Sequence, residues 1–225
     1  FGALPFVKKK QEQKSILITD PRTSSQYAEA VDKIVTKLRR KMHENHYKVL
    51  MVSSLKENDG KSTAAANLVL NLVQRGKKVV LVDCDMRRSA VCKIFDIDMK
   101  DQKQLYDYLT EESTLQDVLI EYGQDERKFF CILQKKAVSE PEKWFDSERF
   151  DYVILDTAPI GIVRDAEIIA GYADSVFMVM KQDEVHAASV NDVIDILEDA
   201  GSVVVGGVLN MARGEKIAGN GYHKY

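Results

Sequence analysis

Cysteine is scarce: Cys84, Cys92 and Cys131 are the only three in 225 residues. None stands in a C-x-x-C or similar metal-ligand spacing, and the odd count argues against a disulfide scaffold and for a reducing compartment. Proline occurs four times and tryptophan once. No charge sign dominates, since 32 Lys and Arg stand against 35 Asp and Glu for a net charge of −3. That balance excludes nucleic-acid binding driven by bulk positive charge. Long apolar runs are missing as well. The longest, VVVGGVLNMA at 203–212, falls far short of the roughly 20 residues a spanning helix needs. No secretory leader is visible, because Lys8, Lys9 and Lys10 are followed by polar residues and not by an apolar core. The first residue is Phe1 and not Met, which predicts a fragment or a processed product. What remains is 45% hydrophobic and 30% charged, an ordinary globular composition that excludes a disordered tail, a collagen-like fibre and a coiled coil.

Residues 1–23 read as an irregular arm, with Gly2, Pro5, the basic run and Asp20-Pro21. A helix is expected to start near Ser24 or Ser25, either of which can accept from free backbone N–H groups. Tyr27, Val31, Ile34, Val35, Leu38 and Met42 recur three or four apart and make one apolar face. From there strand-like runs (48–54, 78–83, 129–133, 151–156, 175–180, 203–210) alternate with helix-like ones (61–74, parts of 104–120, 164–172, 185–200). The strands are continuously apolar, so both of their faces are covered. The expected class is α/β: a doubly wound, mostly parallel sheet with helices on both faces. The expected division is an arm at 1–23, a domain at 24–213 and a flexible tail at 214–225.

The first strand runs into SSLKENDGKSTAAANL, residues 53–68. A strand, a loop and Gly60-Lys61-Ser62-Thr63 at a helix start form a phosphate-loop arrangement. The first-turn N–H groups face an anion and the helix dipole favours negative charge there. Lys61 can bridge the outer phosphates and the Ser62 hydroxyl can ligate Mg²⁺. Leu55 holds the place of the first glycine and Asn58 that of a second, and Asn tolerates left-handed backbone. The competing reading is a plain helix cap at Asp59 or Gly60 with a stray lysine. The strand before and the helix after favour a cradle of Asn58, Asp59, Gly60, Lys61, Ser62 and Thr63.

Two more strands end in carboxylates. VVLVDCDMRR, 79–88, carries Asp83 and Asp85 two apart, which in extended chain project the same way. Such a pair can hold hydrated Mg²⁺ and accept a proton from an incoming hydroxyl. Arg87 follows and can neutralise phosphate charge. DYVILDTAP, 151–159, places Asp156 where a metal-site carboxylate belongs in phosphate-loop enzymes. Ligands of open α/β sheets bind at this strand edge.

These three segments together resemble the Walker A, A′ and B motifs of bacterial tyrosine kinases, the capsular and exopolysaccharide kinases of the CpsD/CapB type. LITDPRTSSQYAEA (17–30), DTAPIGIVRDAEIIA (156–170) and VVVGGVLNMA (203–212) are similar to further family segments. The resemblance implies a P-loop NTPase fold and transfer of the γ-phosphoryl group of MgATP to protein tyrosines, typically in a C-terminal cluster of a neighbouring subunit. It implies Lys61 and Ser62 or Thr63 on phosphate and Mg²⁺, and Asp83 and Asp85 as metal carboxylate and tyrosine-activating base. Arg87 would support the phosphate, and Asp156 would complete the metal site. Asn210 matches an adenine-contacting residue of related ATPases, and Tyr222 and Tyr225 stand as phosphoacceptors. FGALPFVKKK resembles the juncture after a membrane helix, which implies the cytoplasmic domain of a membrane protein. The implied partners are other copies of the chain, a membrane activator segment or protein, and the polysaccharide polymerisation and export machinery, without nucleic acid. Where family members carry E-x-x-R-x-x-R on the first helix for ring docking, Glu29 is followed by Asp32 and Val35. The ring's electrostatic contact is thus missing. Two other classes stay open: a partition-type regulatory ATPase, for which Lys56 lies five residues before Lys61, and a nucleotide-binding pseudokinase adaptor.

Overall fold

The computed structural model describes residues 1–85, 88–100, 102–110, 112–124, 127–133, 149–160 and 162–214. In chain order the elements are β1 (Gly2–Pro5), α1 (Ser25–Glu44), β2 (Val49–Ser54), α2 (Lys61–Gln74), β3 (Val79–Asp83), α3 (Val91–Phe95), α4 (Leu105–Leu109), α5 (Leu115–Val118), β4 (Ile120–Gln124), β5 (Arg127–Ile132), β6 (Tyr152–Asp156), α6 (Arg164–Ala170), β7 (Ser175–Lys181), α7 (Ala187–Asp199) and β8 (Val203–Ala212). The strands form one sheet in the order β1-β8-β7-β2-β6-β3-β5-β4. Every pairing is parallel except β4 with β5.

The chain leaves β2 toward β3 on one side, returns to β6, and then crosses to β7 on the other side. The strand order therefore reverses at β2, and a crevice opens at its carboxyl end. Alternate residues of the central strands feed two apolar layers. Leu50, Val52, Leu81 and Ile154 pack with α1 and α2, whereas Met51, Val80, Val82 and Leu155 pack with residues of α6 and α7. All six residues of β2 and all five of β3 are buried, as continuous apolar runs require of a sheet covered on both faces.

Helix α1 follows its apolar period. Ser24 caps it by accepting from the Tyr27 N–H, and its buried residues are Tyr27, Val31, Ile34, Val35, Leu38 and Met42. Val35 is wholly buried, and the Asp32 carboxylate accepts from Asn71 and pairs with Arg75 at 2.5 Å. Neither position offers a cation to a neighbouring subunit.

The arm differs from its sequence reading. Residues 2–5 form β1, which lies parallel to β8 at the sheet edge. The Phe1 ring stacks on Phe177 with centroids 5.9 Å apart. Gly206, at φ 153°, makes room for it, because a Cβ there would collide with the ring. Farther along, Asn67 of α2 grips the arm: its Nδ2 donates to the Ile16 carbonyl at 2.8 Å, and its Oδ1 accepts from the Ile18 N–H at 2.8 Å. Strand β4 and helix α3 also go beyond the sequence reading. Among the described residues no helix is long and apolar enough to cross a membrane.

Candidate active site at the carboxyl edge of the sheet

The loop after β2 is built on left-handed backbone. Asn58 has φ 64° and Gly60 φ 91°, conformations that Asn and Gly accept with least strain. Gly60 is the N-cap of α2 and supplies no side-chain cap. The first-turn N–H groups of α2 are thus available to an anion. Asp59 closes the loop, its Oδ2 accepting from the Lys56 N–H at 3.0 Å. Lys56 Nζ donates to the Glu184 carbonyl at 2.6 Å, so its ammonium is engaged within its own chain.

Lys61 is 9% exposed and lies among carboxylates. Its Nζ donates to Asp85 Oδ2 at 2.7 Å and to Ser62 Oγ at 3.2 Å, and stands 3.8 Å from Asp156 Oδ1. Burial alone pulls the ammonium's pKa down, but the charges of Asp156 and Asp85 outweigh it and hold the pKa above its ordinary value. Asp156 has no exposed surface, and neither of its carboxylate oxygens has a hydrogen-bond partner. Burial raises its pKa, against the opposing pull of Lys61. Burial also raises that of Asp83, with the Asp156 charge adding to it.

Strand β3 ends at Asp83, and Asp85 lies just beyond it, where the two carboxylates take different partners. Asp83 Oδ2 accepts from Ser89 Oγ at 2.7 Å and from the Val91 N–H at 3.2 Å, and its Oδ1 accepts from the Asp85 N–H at 3.2 Å. Asp83 thereby shapes the turn that delivers the Asp85 carboxylate to Lys61. Ser89 is a member of the site that motif spacing did not single out. Cys84, between the two aspartates, is buried and its thiol is pushed well up by burial, which makes it a packing residue.

A cleft of about 340 Å³ opens over this cluster, within the range of small-ligand sites. Asn58, Gly60, Lys61, Ser62, Thr63 and Asp85 line one part of it, and Ile94, Pro159 and Ile162 line an apolar part. Arg88 also faces it and pairs with Glu57 at 2.5 Å. The fold thus brings together Lys61, Ser62, Asp83, Asp85 and Asp156. Asn210 stands behind the loop, its Nδ2 donating to the Asp59 carbonyl at 2.7 Å. Arg87, Tyr222, Tyr225 and the tail after Gly214 lie outside the described residues.

The ParA family model, described as NUBPL iron-transfer P-loop NTPase, matches residues 45–219. Tyrosine-protein kinase CpsD of Streptococcus agalactiae serotype III (strain NEM316) is 31% identical over 174 residues, which cover 72% of this chain and 74% of that protein. The kinase domain of the Escherichia coli tyrosine kinase ETK superposes with a TM-score of 0.77 at 23% identity, over 93% of this chain and 88% of that one. The cell division ATPase MinD of Pyrococcus furiosus reaches a TM-score of 0.61 at 24% identity, over 75% of this chain and 74% of that one. At these identities the two structures speak for the fold alone. With a carboxylate-ringed P-loop lysine at the switch point of a doubly wound sheet, the chain belongs to the ParA-type P-loop NTPases and, within them, to the bacterial tyrosine kinases.

Proposed function

We propose that this chain transfers the γ-phosphoryl group of MgATP to protein tyrosines, first among them Tyr222 and Tyr225 of another copy. Through this it regulates capsular or exopolysaccharide synthesis and export at the cytoplasmic face of the cell membrane. The observation that carries the reading is the meeting of Lys61, Asp85 and Asp156 under the cleft, within 3.8 Å of one ammonium.

The donors fit Mg²⁺ and a triphosphate. Asp156 keeps two buried oxygens without hydrogen bonds, an arrangement whose desolvation cost a cation offsets. Mg²⁺ takes one or two carboxylates and fills its remaining positions with water and substrate phosphates. Asp156, Asp83 and the Ser62 hydroxyl would hold it, and the bound ion supplies charge neutralisation between the phosphates. The N–H groups of the α2 first turn and the Lys61 ammonium hold the phosphates. When Lys61 turns to them, Asp85 Oδ2 loses its present partner and becomes free to take the phenolic proton. Tyrosine's pKa near 10 makes that help necessary at neutral pH. The phenolic oxygen forms its bond to the γ-phosphorus, the bond to the ADP oxygen breaks, and the proton passes to Asp85.

The test mixes two proteins with labelled MgATP. One is a Lys61→Met chain with its tail intact, and the other is an active chain lacking residues 222–225. Label on tyrosine of the Lys61→Met chain is the expected result. Phosphate release without labelled tyrosine would instead assign a partition-type ATPase, and neither activity would assign an adaptor.

A further inference from the structure

Asn210 lies at the end of β8, far in sequence from the phosphate loop, and is 8% exposed. Both ends of its side-chain amide are engaged. Its Oδ1 accepts from the Met211 N–H at 2.9 Å, and its Nδ2 donates to the Asp59 carbonyl at 2.7 Å. The first bond fixes which way the amide faces, because only an oxygen can accept from Met211. The amide nitrogen is then committed to Asp59. Met211 itself sits at φ 56°, a conformation costly for a residue with a long side chain and sustained only where the surroundings impose it. The Asn210 backbone is held as well, its carbonyl accepting from the Gln182 N–H at 2.9 Å.

The consequence follows from peptide geometry. The Asp59–Gly60 bond is trans, as are all described peptide bonds. In a trans peptide the carbonyl and the next N–H point in opposite directions within one plane. Holding the Asp59 carbonyl toward β8 therefore aims the Gly60 N–H away from β8. Gly60 lines the cleft and Asn210 does not. Glycine at Gly60 leaves this peptide plane freer to turn over than any other residue would, so the plane needs a restraint. Asn210 holds this plane at the Asp59 carbonyl, and a Cβ at Gly60 would collide with Asn210 Nδ2.

We infer that Asn210 is a positioning residue that locks the Asp59–Gly60 peptide so that its N–H faces the phosphates of a bound nucleotide. This rests on the nucleotide-binding reading above and departs from a role for Asn210 on adenine. The two roles separate by probe. Magnesium tripolyphosphate has the phosphates and no base.

Titration calorimetry on the full chain compares wild type with Asn210→Ala, using magnesium tripolyphosphate, MgATP and MgGTP. The expected result is a loss of about tenfold, the size of one hydrogen bond, by the same factor for MgATP and for tripolyphosphate. The wild-type preference for ATP over GTP stays unchanged. A loss for MgATP with tripolyphosphate unaffected would overturn the inference in favour of an adenine contact. A lowered melting temperature with every affinity intact would overturn it in favour of a structural strut. If Asn210→Ala does not fold, Asn210→Leu, of similar volume and without a donor, is measured by the same criteria. Wild type that binds neither MgATP nor tripolyphosphate would remove the nucleotide reading itself, and the inference with it.

Discussion

Asp83 and Asp156 stand in register on adjacent parallel strands, β3 and β6, and neither has exposed surface. Registered residues on neighbouring strands share a face, so two carboxylates are held side by side in a low-dielectric interior. Burial raises both pKa values; the Asp156 charge adds to it at Asp83, and the Asp85 charge adds to it at Asp156. The pair is a stability cost in the metal-free protein, and under the proposed function it would serve as a ligand pair for Mg²⁺.

Asp156→Asn should therefore stabilise the metal-free protein, by about 1–3 kcal/mol near pH 8, since it removes a buried charge whose oxygens have no hydrogen bonds. The same change should weaken Mg²⁺ binding by at least about 10- to 100-fold, the cost of losing even an outer partner of a metal site. Chemical denaturation with EDTA and Mg²⁺ titration read the two effects. A destabilised Asp156→Asn chain would show that the carboxylate is already compensated.

The pH dependence of the metal-free protein should run opposite to that of most acidic groups. Burial, with the Asp156 charge added, pushes Asp83 from 3.8 up to about 7. Between those values the folded chain keeps a proton that the unfolded chain has released. The folded state then binds more protons, and stability falls as pH rises through this window. The limit for one such group is about 4 kcal/mol. Under the proposed function Mg²⁺ would bind the ionised pair, so stabilisation by Mg²⁺ should grow as pH rises through the same window. Melting curves from about pH 5 to about pH 8, with EDTA or with Mg²⁺, check both signs. An EDTA-treated protein that gains stability on going up in pH would refute the assignment.

Lys61→Met should abolish the melting shift produced by MgATP. It should also cost stability on its own, about 3–5 kcal/mol at most, because Asp85 loses its buried, hydrogen-bonded cation. The loss should be greater near pH 8 than near pH 5, because burial raises the Asp156 pKa and lets that carboxyl neutralise by protonation as pH falls. Lys61→Met combined with Asp85→Asn should recover part of it, and denaturant midpoints for the four proteins of the cycle measure the coupling. Additive effects would contradict the ion pair at 2.7 Å.

Gly206→Ala should release the amino-terminal strand. A Cβ at Gly206 would collide with the Phe1 ring, and φ 153° is unfavourable for alanine. Trypsin should then cut at Lys8, Lys9 and Lys10 faster than in wild type, while the rest of the domain resists. Unchanged cleavage would mean that β1 is held by its backbone bonds alone.

Much of this was legible in the chain. Helix α1 shows its period of apolar residues, Asp83 and Asp156 each sit where an apolar run stops, and Lys61 opens a helix after a strand and a loop. Those signals are local, and local patterns survive in sequence. The Asn210–Asp59 contact spans 151 positions, and no spacing rule reaches that far. Gly2 and Pro5, both turn residues, give residues 1–5 an irregular look in the sequence. The strand geometry of β1 comes from pairing with β8 and not from propensity. β4 is a short antiparallel edge with a largely exposed pattern, which gives no continuous apolar run to notice. The D-x-D spacing places both carboxylates at the end of β3, but the partners of each come from elsewhere in the chain: Ser89 and the Val91 N–H for Asp83, and Lys61 for Asp85.

The placement of β1 also bears on solubility. β8 is ten residues long and almost free of charge, and without β1 its outer backbone groups would be unpaired. An open, flat, apolar strand edge is a template for another chain to add to. β1 covers that edge with only four residues, and Pro5, lacking an N–H, spoils any further ladder beyond it. A chain trimmed to begin at Phe6 should therefore precipitate on concentration while retaining its fold when dilute, because what it loses is the blunt end of its sheet.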